Sequence, residues 1–137
     1  MSWENLSEKI TKMSEGMVEE VKIRAAGEML ESLTTPASYN RGISGVTPVD
    51  SGNLMANTIV SANSPNFSVN SYEDVSGDST YREGMYTVMS SDVWSIIYIQ
   101  NNTPYNINAE FDGWGVTPAY RYFSTSVNNT FNTVRRM

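Results

Sequence analysis

Thr47-Pro48-Val49-Asp50-Ser51-Gly52-Asn53-Leu54 separates a helical N-terminal region from a strand-rich middle, and reading it as a hinge sets the fold class. Pro48 fixes its own φ and pushes Thr47 toward extended backbone. Asp50 has the chemistry to turn its carboxylate onto the amides that follow, as an Asx-turn or as a helix N-cap. Gly52 permits a left-handed backbone or the close approach of another segment. Val49 and Leu54 are apolar pins on either side. A carboxylate beside a hydroxyl and a glycine also suggests a metal or phosphate loop. No Gly-rich run or lysine follows, which excludes a P-loop.

Upstream, apolar residues fall at Trp3, Leu6, Ile10, Met13, Met17, Val21, Ala25, Met29 and Leu33. Steps of three and four keep one helical face together, so residues 3–33 read as one long helix or two collinear ones. Ser2 is the expected N-cap and Glu4 suits the first turn. The stripe reads as core, with a partner-facing use left open. Thr34-Thr35-Pro36 ends the helix, and residues 36–46 form a loop whose single charge is Arg41.

Downstream, residues 56–61 and 66–72 read as strands around a Ser64-Pro65 turn. Residues 73–83, with Asp74, Gly77 and Asp78, read as an exposed loop without EF-hand spacing. Residues 85–89 read as a strand, and 92–100, the most apolar stretch, as the central strand carrying a buried Trp94. Tyr105, Ile107 and Ala109 begin another half-buried segment. Thr117 as N-cap and Pro118 at the first helical position open a last helix with Tyr120, Phe123, Val127, Phe131 and Val134 at helical spacing. Arg135 and Arg136 fall where cations suit a helix C-terminus.

The expected fold is therefore α+β: an antiparallel sheet of four to five strands with a long N-terminal helix and a C-terminal helix packed on it. One domain spans 1–137, with a helical arm at 1–35, loop and hinge at 36–55, sheet at 56–112 and C-terminal helix at 117–137.

Nine basic against fifteen acidic residues give a net charge of −6 in 137 residues. That disfavours a general grip on nucleic acid. No cysteine or histidine is present, which removes disulfides, thiol chemistry, the usual metal ligand and histidine-based triads. No catalytic residue, cofactor or metal site is expected. The first residues lack the basic and apolar regions of a signal peptide, and no apolar run approaches a membrane span. An enzyme would have to rely on carboxylates alone, such as Asp50 or Asp92 with Glu110.

Three segments carry a resemblance. Thr47 to Leu54 resembles the T-P-V-D-T/S-G-x-L signature of the tail-completion, or head–tail connector, family of tailed bacteriophages. Asn101-Asn102-Thr103-Pro104-Tyr105-Asn106-Ile107-Asn108-Ala109-Glu110-Phe111-Asp112-Gly113 is similar to its N-x-x-x-Y-A-x-x-x-E-x-G signature. Pro118 to Phe123 resembles the P-x-P-F/Y start of its last helix. Two departures stand out: Asn106 replaces a small residue, and Asp112 lengthens the Glu110-to-Gly113 spacing by one.

The resemblance implies a virion structural protein of the neck, made in the host cytoplasm. Copies would form a ring between portal or adaptor proteins and the tail terminator or tail tube, with DNA passing through unread. It implies no catalysis and no membrane. Tyr105, Glu110 and Trp114 are then candidates for a subunit contact or, equally, for a fold-internal network. Arg41, Arg135 and Arg136 are further contact candidates, while Pro48, Asp50 and Gly52 hold the hinge. The alternatives are a tail terminator capping the tube, or a receptor- or carbohydrate-binding tail module using Trp94, Trp114 and the tyrosines.

Overall fold

The computed structural model describes residues 2–36, 47–113 and 119–137. In chain order they form α1 (Trp3–Leu33), α2 (Asn53–Ala56), β1 (Thr58–Ala62), α3 (Asp78–Ser90), β2 (Ile97–Asn101), a π-helical turn (Asn108–Asp112) and α4 (Tyr122–Arg135). Ser2 caps α1 as expected, its hydroxyl accepting the Asn5 N–H at 3.3 Å. The expected helices at the two ends are both present. No helix among the described residues is long and apolar enough to cross a membrane.

The sheet is smaller than expected. Among the described residues it has two antiparallel strands, not four to five, with Thr58 opposite Asn101 and Ala62 opposite Ile97. Two of the expected strands took other forms. Residues 85–89, read as a strand from Met85, Tyr86 and Val88, lie inside α3. That helix buries Thr80, Gly84 and Val88, a four-residue step with only one apolar side chain in it. Apolar periodicity misses such a face.

Residues 66–72, also read as a strand, belong to no ladder. Side-chain amides take the place of a neighbouring strand. Asn102 Nδ2 donates to the carbonyls of Asn66 and Ser68 (2.8 and 3.1 Å), Asn57 Nδ2 to that of Asn70 (3.1 Å), and Asn53 Nδ2 to those of Asn70 and Tyr72 (3.1 and 2.8 Å). Every second carbonyl is thus satisfied, the spacing at which extended backbone presents them to one side. Phe67 and Val69 remain exposed. The central strand is also shorter than expected, running over Ile97–Asn101, and Trp94 precedes it as an exposed side chain.

The core gathers Met29, Leu33, Leu54, Ala109 and Tyr122, with Ile99, Tyr120 and Phe123 packed against it. α4 runs antiparallel to α1. Ser126 Oγ meets Ser32 Oγ at 2.6 Å, and Thr130 Oγ1 reaches Met29 Sδ at 3.6 Å. Only the C-terminal part of α1 enters this core. Ser2 to Ser14 are all exposed, and Trp3, Met13 and Met17 are 85%, 68% and 67% exposed. The apolar stripe is therefore core at one end and open at the other.

Candidate functional site

The hinge works through its glycine rather than its aspartate. Gly52 has φ 88° and stands at the N-cap of α2 without a side-chain cap. Its carbonyl accepts both the Ala56 N–H and the Asp74 N–H at 3.0 Å. A Cβ here would sit 2.8 Å from the Asp74 backbone, so the hinge is a place where two segments touch. Thr47 anchors the segment's start: its hydroxyl donates to the Leu33 carbonyl, an orphan of the α1 terminus, and its N–H to the Thr35 carbonyl at 3.2 Å. Pro48 is half-buried behind it.

The expected Asp50 cap is corrected. Asp50 is exposed, and it is the Ser51 hydroxyl that accepts the Asn53 N–H at the start of α2, at 3.4 Å. Asp74 does the capping instead, at α3. Its Oδ1 accepts the Gly77 N–H at 3.1 Å, and its Oδ2 accepts the Thr80 N–H at 2.8 Å and the Thr80 hydroxyl at 2.6 Å. Burial pushes the Asp74 pKa up. The bonds from the Thr80 hydroxyl, the Thr80 and Gly77 N–H groups and Ser76 outweigh this, leaving it below the ordinary 3.8. A carboxylate with a depressed folded pKa contributes stability above the unfolded value and loses it as pH falls through the folded one. Asp74→Asn should therefore cost about 1 kcal/mol near neutrality, with the gap to the parent closing below about pH 4. Asp50→Ala should stay within about 0.5 kcal/mol of the parent. Urea denaturation at pH 7 and pH 3 measures both.

The two signature segments meet. Asn101 Nδ2 donates to the Leu54 carbonyl at 2.8 Å, and the Tyr105 hydroxyl bonds Asn53 Oδ1. Asn101 Oδ1 holds Thr103 through its N–H (3.2 Å) and hydroxyl (2.7 Å). Asn106 donates to the Asn101 carbonyl at 3.3 Å and accepts the Tyr122 hydroxyl. Burial, then the nearby Glu110 charge, pushes the Tyr122 phenol far up, so the hydroxyl stays protonated as a donor. Partial burial also raises Tyr105.

Glu110 is 6% exposed, with both carboxylate oxygens engaged. Oε2 accepts the Phe123 N–H at 2.8 Å and Oε1 the Ser124 N–H at 3.1 Å. Arg121, at the helix N-cap, is left-handed at φ 52° and supplies no cap of its own. Glu110 thus caps α4 from another segment, the fold-internal network that the sequence left open. Asp112 closes a π-helical turn, Asn108–Asp112, after which the Gly113 N–H reaches the Asn108 carbonyl at 2.7 Å, five residues back.

Arg135 and Arg136 are exposed at the end of α4, and Arg136 lines an open groove with Glu20, Arg24 and Glu28. Arg41 and Trp114 lie outside the described residues, as do Thr117 and Pro118, and α4 begins at Tyr122 rather than 117. Among the described residues no cluster of acidic groups is arranged to hold a metal ion.

Sequence reasoning missed Lys22. Its side chain is 9% exposed, pairs with Glu19 at 2.9 Å and donates to the Ser91 hydroxyl (3.1 Å) and the Asp92 carbonyl (3.0 Å). An ammonium at the C-terminal end of α3 complements its dipole and ties α1 to α3. In the sequence Lys22 looks like any surface charge. Searches against family models, curated proteins and solved structures each returned no match.

Proposed function

We propose that this chain is a structural protein of a bacteriophage neck, forming a ring that completes the tail and joins it to the head. The observation that supports this reading best is the meeting of residues 47–54 with 101–113 through Asn101–Leu54 and Tyr105–Asn53. Two signatures of one family are expected to be joined in space when they specify one local structure. The exposed apolar side chains on the first half of α1, on α4 and around Trp94 are consistent with a protein that works by assembling.

In this role the chain would contact portal or adaptor proteins on one side and tail terminator or tail tube proteins on the other, within the virion. DNA would pass the ring without sequence readout. A net charge of −6 suits sliding past a polyanion rather than gripping it. No catalysis is assigned.

The test is head–tail joining. Heads and tails from a phage lacking this gene product are mixed with and without the purified chain, and joined particles are counted by electron microscopy and plaque formation. Joining that depends on the chain supports the reading. Joining that proceeds equally well without it overturns the reading.

A further inference from the structure

The end of α4 lies beside Glu20 and Arg24 of α1, and Lys22 is the first α1 side chain bonded to another element. Residues 3 to about 18 therefore project beyond the body by about 24 Å at 1.5 Å per residue. Trp3, Leu6, Ile10, Met13 and Met17 alternate steps of three and four along this arm and are all exposed. Ser7 and Ser14 flank them on one side and Lys9 and Gly16 on the other, so one border is small and uncharged and the other carries a single cation. A helical segment of about sixteen residues without tertiary packing has little stability of its own in water, and covering its apolar face supplies what is missing.

The body carries a second unpartnered apolar surface. An apolar groove between α1, α4 and β2 is lined by Ala25, Met29, Ile97, Ile99 and Thr130, with Lys22 at its edge. Val127 and Val134, three residues before and four after Thr130 on α4, are its neighbours on the helix surface. Phe131 stands next to Val127 and is 64% exposed.

The arm and the groove cannot meet within one molecule. Groove residues Ala25 and Met29 belong to the same unbroken helix as the arm, Trp3–Leu33. A second copy can bring them together. The charges match as well: residues 1–20 hold five acidic and two basic side chains, whereas α4 has no acid and places Arg135 one turn after Phe131; Arg136 faces the other groove, with Glu20 and Glu28.

We propose that the Trp3–Met17 stripe of one copy docks in the groove between α1, α4 and β2 of a second copy, against Val127 and Phe131. The contact is heterologous: each copy offers an arm and a groove, so it repeats head to tail and closes into a ring when the rotation allows. It deepens the ring reading above by naming the surfaces from which the ring is built.

Three samples test it: the parent chain, an arm variant carrying Ile10→Glu and Met13→Glu, and the groove variant Phe131→Glu. All three changed positions are exposed, and far-UV circular dichroism checks that each variant is folded. Sedimentation of the isolated chain up to millimolar concentration should show self-association in the parent, and association weaker by about thirtyfold or more in each variant. An equimolar mixture of the two variants should recover a heterodimer and nothing larger, because it contains one intact arm–groove pair.

Association that survives Phe131→Glu but not the arm changes would mean arm-to-arm pairing and overturn the proposal. A parent chain that stays monomeric throughout, or a mixture that recovers nothing, would also overturn it. Head–tail joining that persists in that case leaves the neck reading standing. Association through arm and groove without any joining activity would instead overturn the neck reading alone.

Discussion

Gly77→Ala is expected to destabilise the isolated chain by about 3 kcal/mol or more, near the severe end for a single methyl group. Gly77 has φ 82°, where a Cβ alone costs about 1–2 kcal/mol. The larger effect is steric. The added carbon would lie 1.9 Å from the Thr34 carbonyl oxygen and 2.8 Å from its carbonyl carbon, so backbone must move.

Neither side can yield easily. Thr34 is the C-cap of α1, with its N–H and hydroxyl both on the Leu30 carbonyl at 2.8 and 2.6 Å. Gly77 gives its N–H to Asp74 at 3.1 Å and its carbonyl to the Tyr81 N–H at 2.9 Å. Moving it breaks the start of α3, and moving Thr34 breaks the end of α1. Gly16→Ala is the control, because nothing lies within 4 Å of its Cβ. There alanine gains about 1 kcal/mol of helix propensity. Urea midpoints should fall sharply for Gly77→Ala, while helical circular dichroism should rise for Gly16→Ala.

This contrast shows what the sequence makes legible. A run of apolar residues in steps of three and four declares α1, and α4 is declared in the same way. The sequence does not show that Met29 and Leu33 are covered while Met13 and Met17 are not, because coverage depends on where α4 ends. Gly77 reads as a loop glycine, since the Thr34 carbonyl it must clear lies 43 residues earlier. α3 was hidden because its inward face is Thr80, Gly84 and Val88, where smallness allows helix and strand to approach. A Cβ on Gly84 would stand 2.9 Å from both Leu30 and Val60 side chains. Alternating apolar and polar residues at 66–72 do not by themselves provide a ladder. At residues 66–72 the hydrogen bonds go to asparagine amides, and polar side chains at 53, 57 and 102 carry no sequence signal for that role. Within the hinge, the site was legible in its glycine and misread in its aspartate. Asp50 and Asp74 stand two and three residues before the N-cap glycines of α2 and α3, and the sequence does not show that Asp74 is the one that turns its carboxylate onto the helix.

Glu110→Ala is expected to cost the isolated chain about 3 kcal/mol, a fall in Tm of roughly 10 °C. The side chain is buried, and its two oxygens take the Phe123 and Ser124 N–H groups at 2.8 and 3.1 Å. Alanine would leave both donors without a partner at the start of α4, and each lost partner costs about 1–3 kcal/mol where water cannot fully replace it. It also removes a negative charge from the positive end of the helix dipole, a further 0.3–1 kcal/mol or about that. No local residue can substitute, because Arg121 at the N-cap offers no acceptor. The Ala109 carbonyl still holds the Tyr120 and Arg121 N–H groups at 2.9 and 3.1 Å, so α4 loosens at its first turn rather than detaching. That turn carries Tyr122, which is fully buried in the core, and the damage therefore spreads into packing against α1. Glu110→Gln should fall between parent and alanine, since its amide keeps one acceptor and turns an NH2 toward the other N–H. A residue serving only a subunit contact would behave differently: the monomer's urea midpoint would hold while assembly failed. The order parent, glutamine, alanine in the denaturation of the isolated chain is the result that assigns Glu110 to the fold.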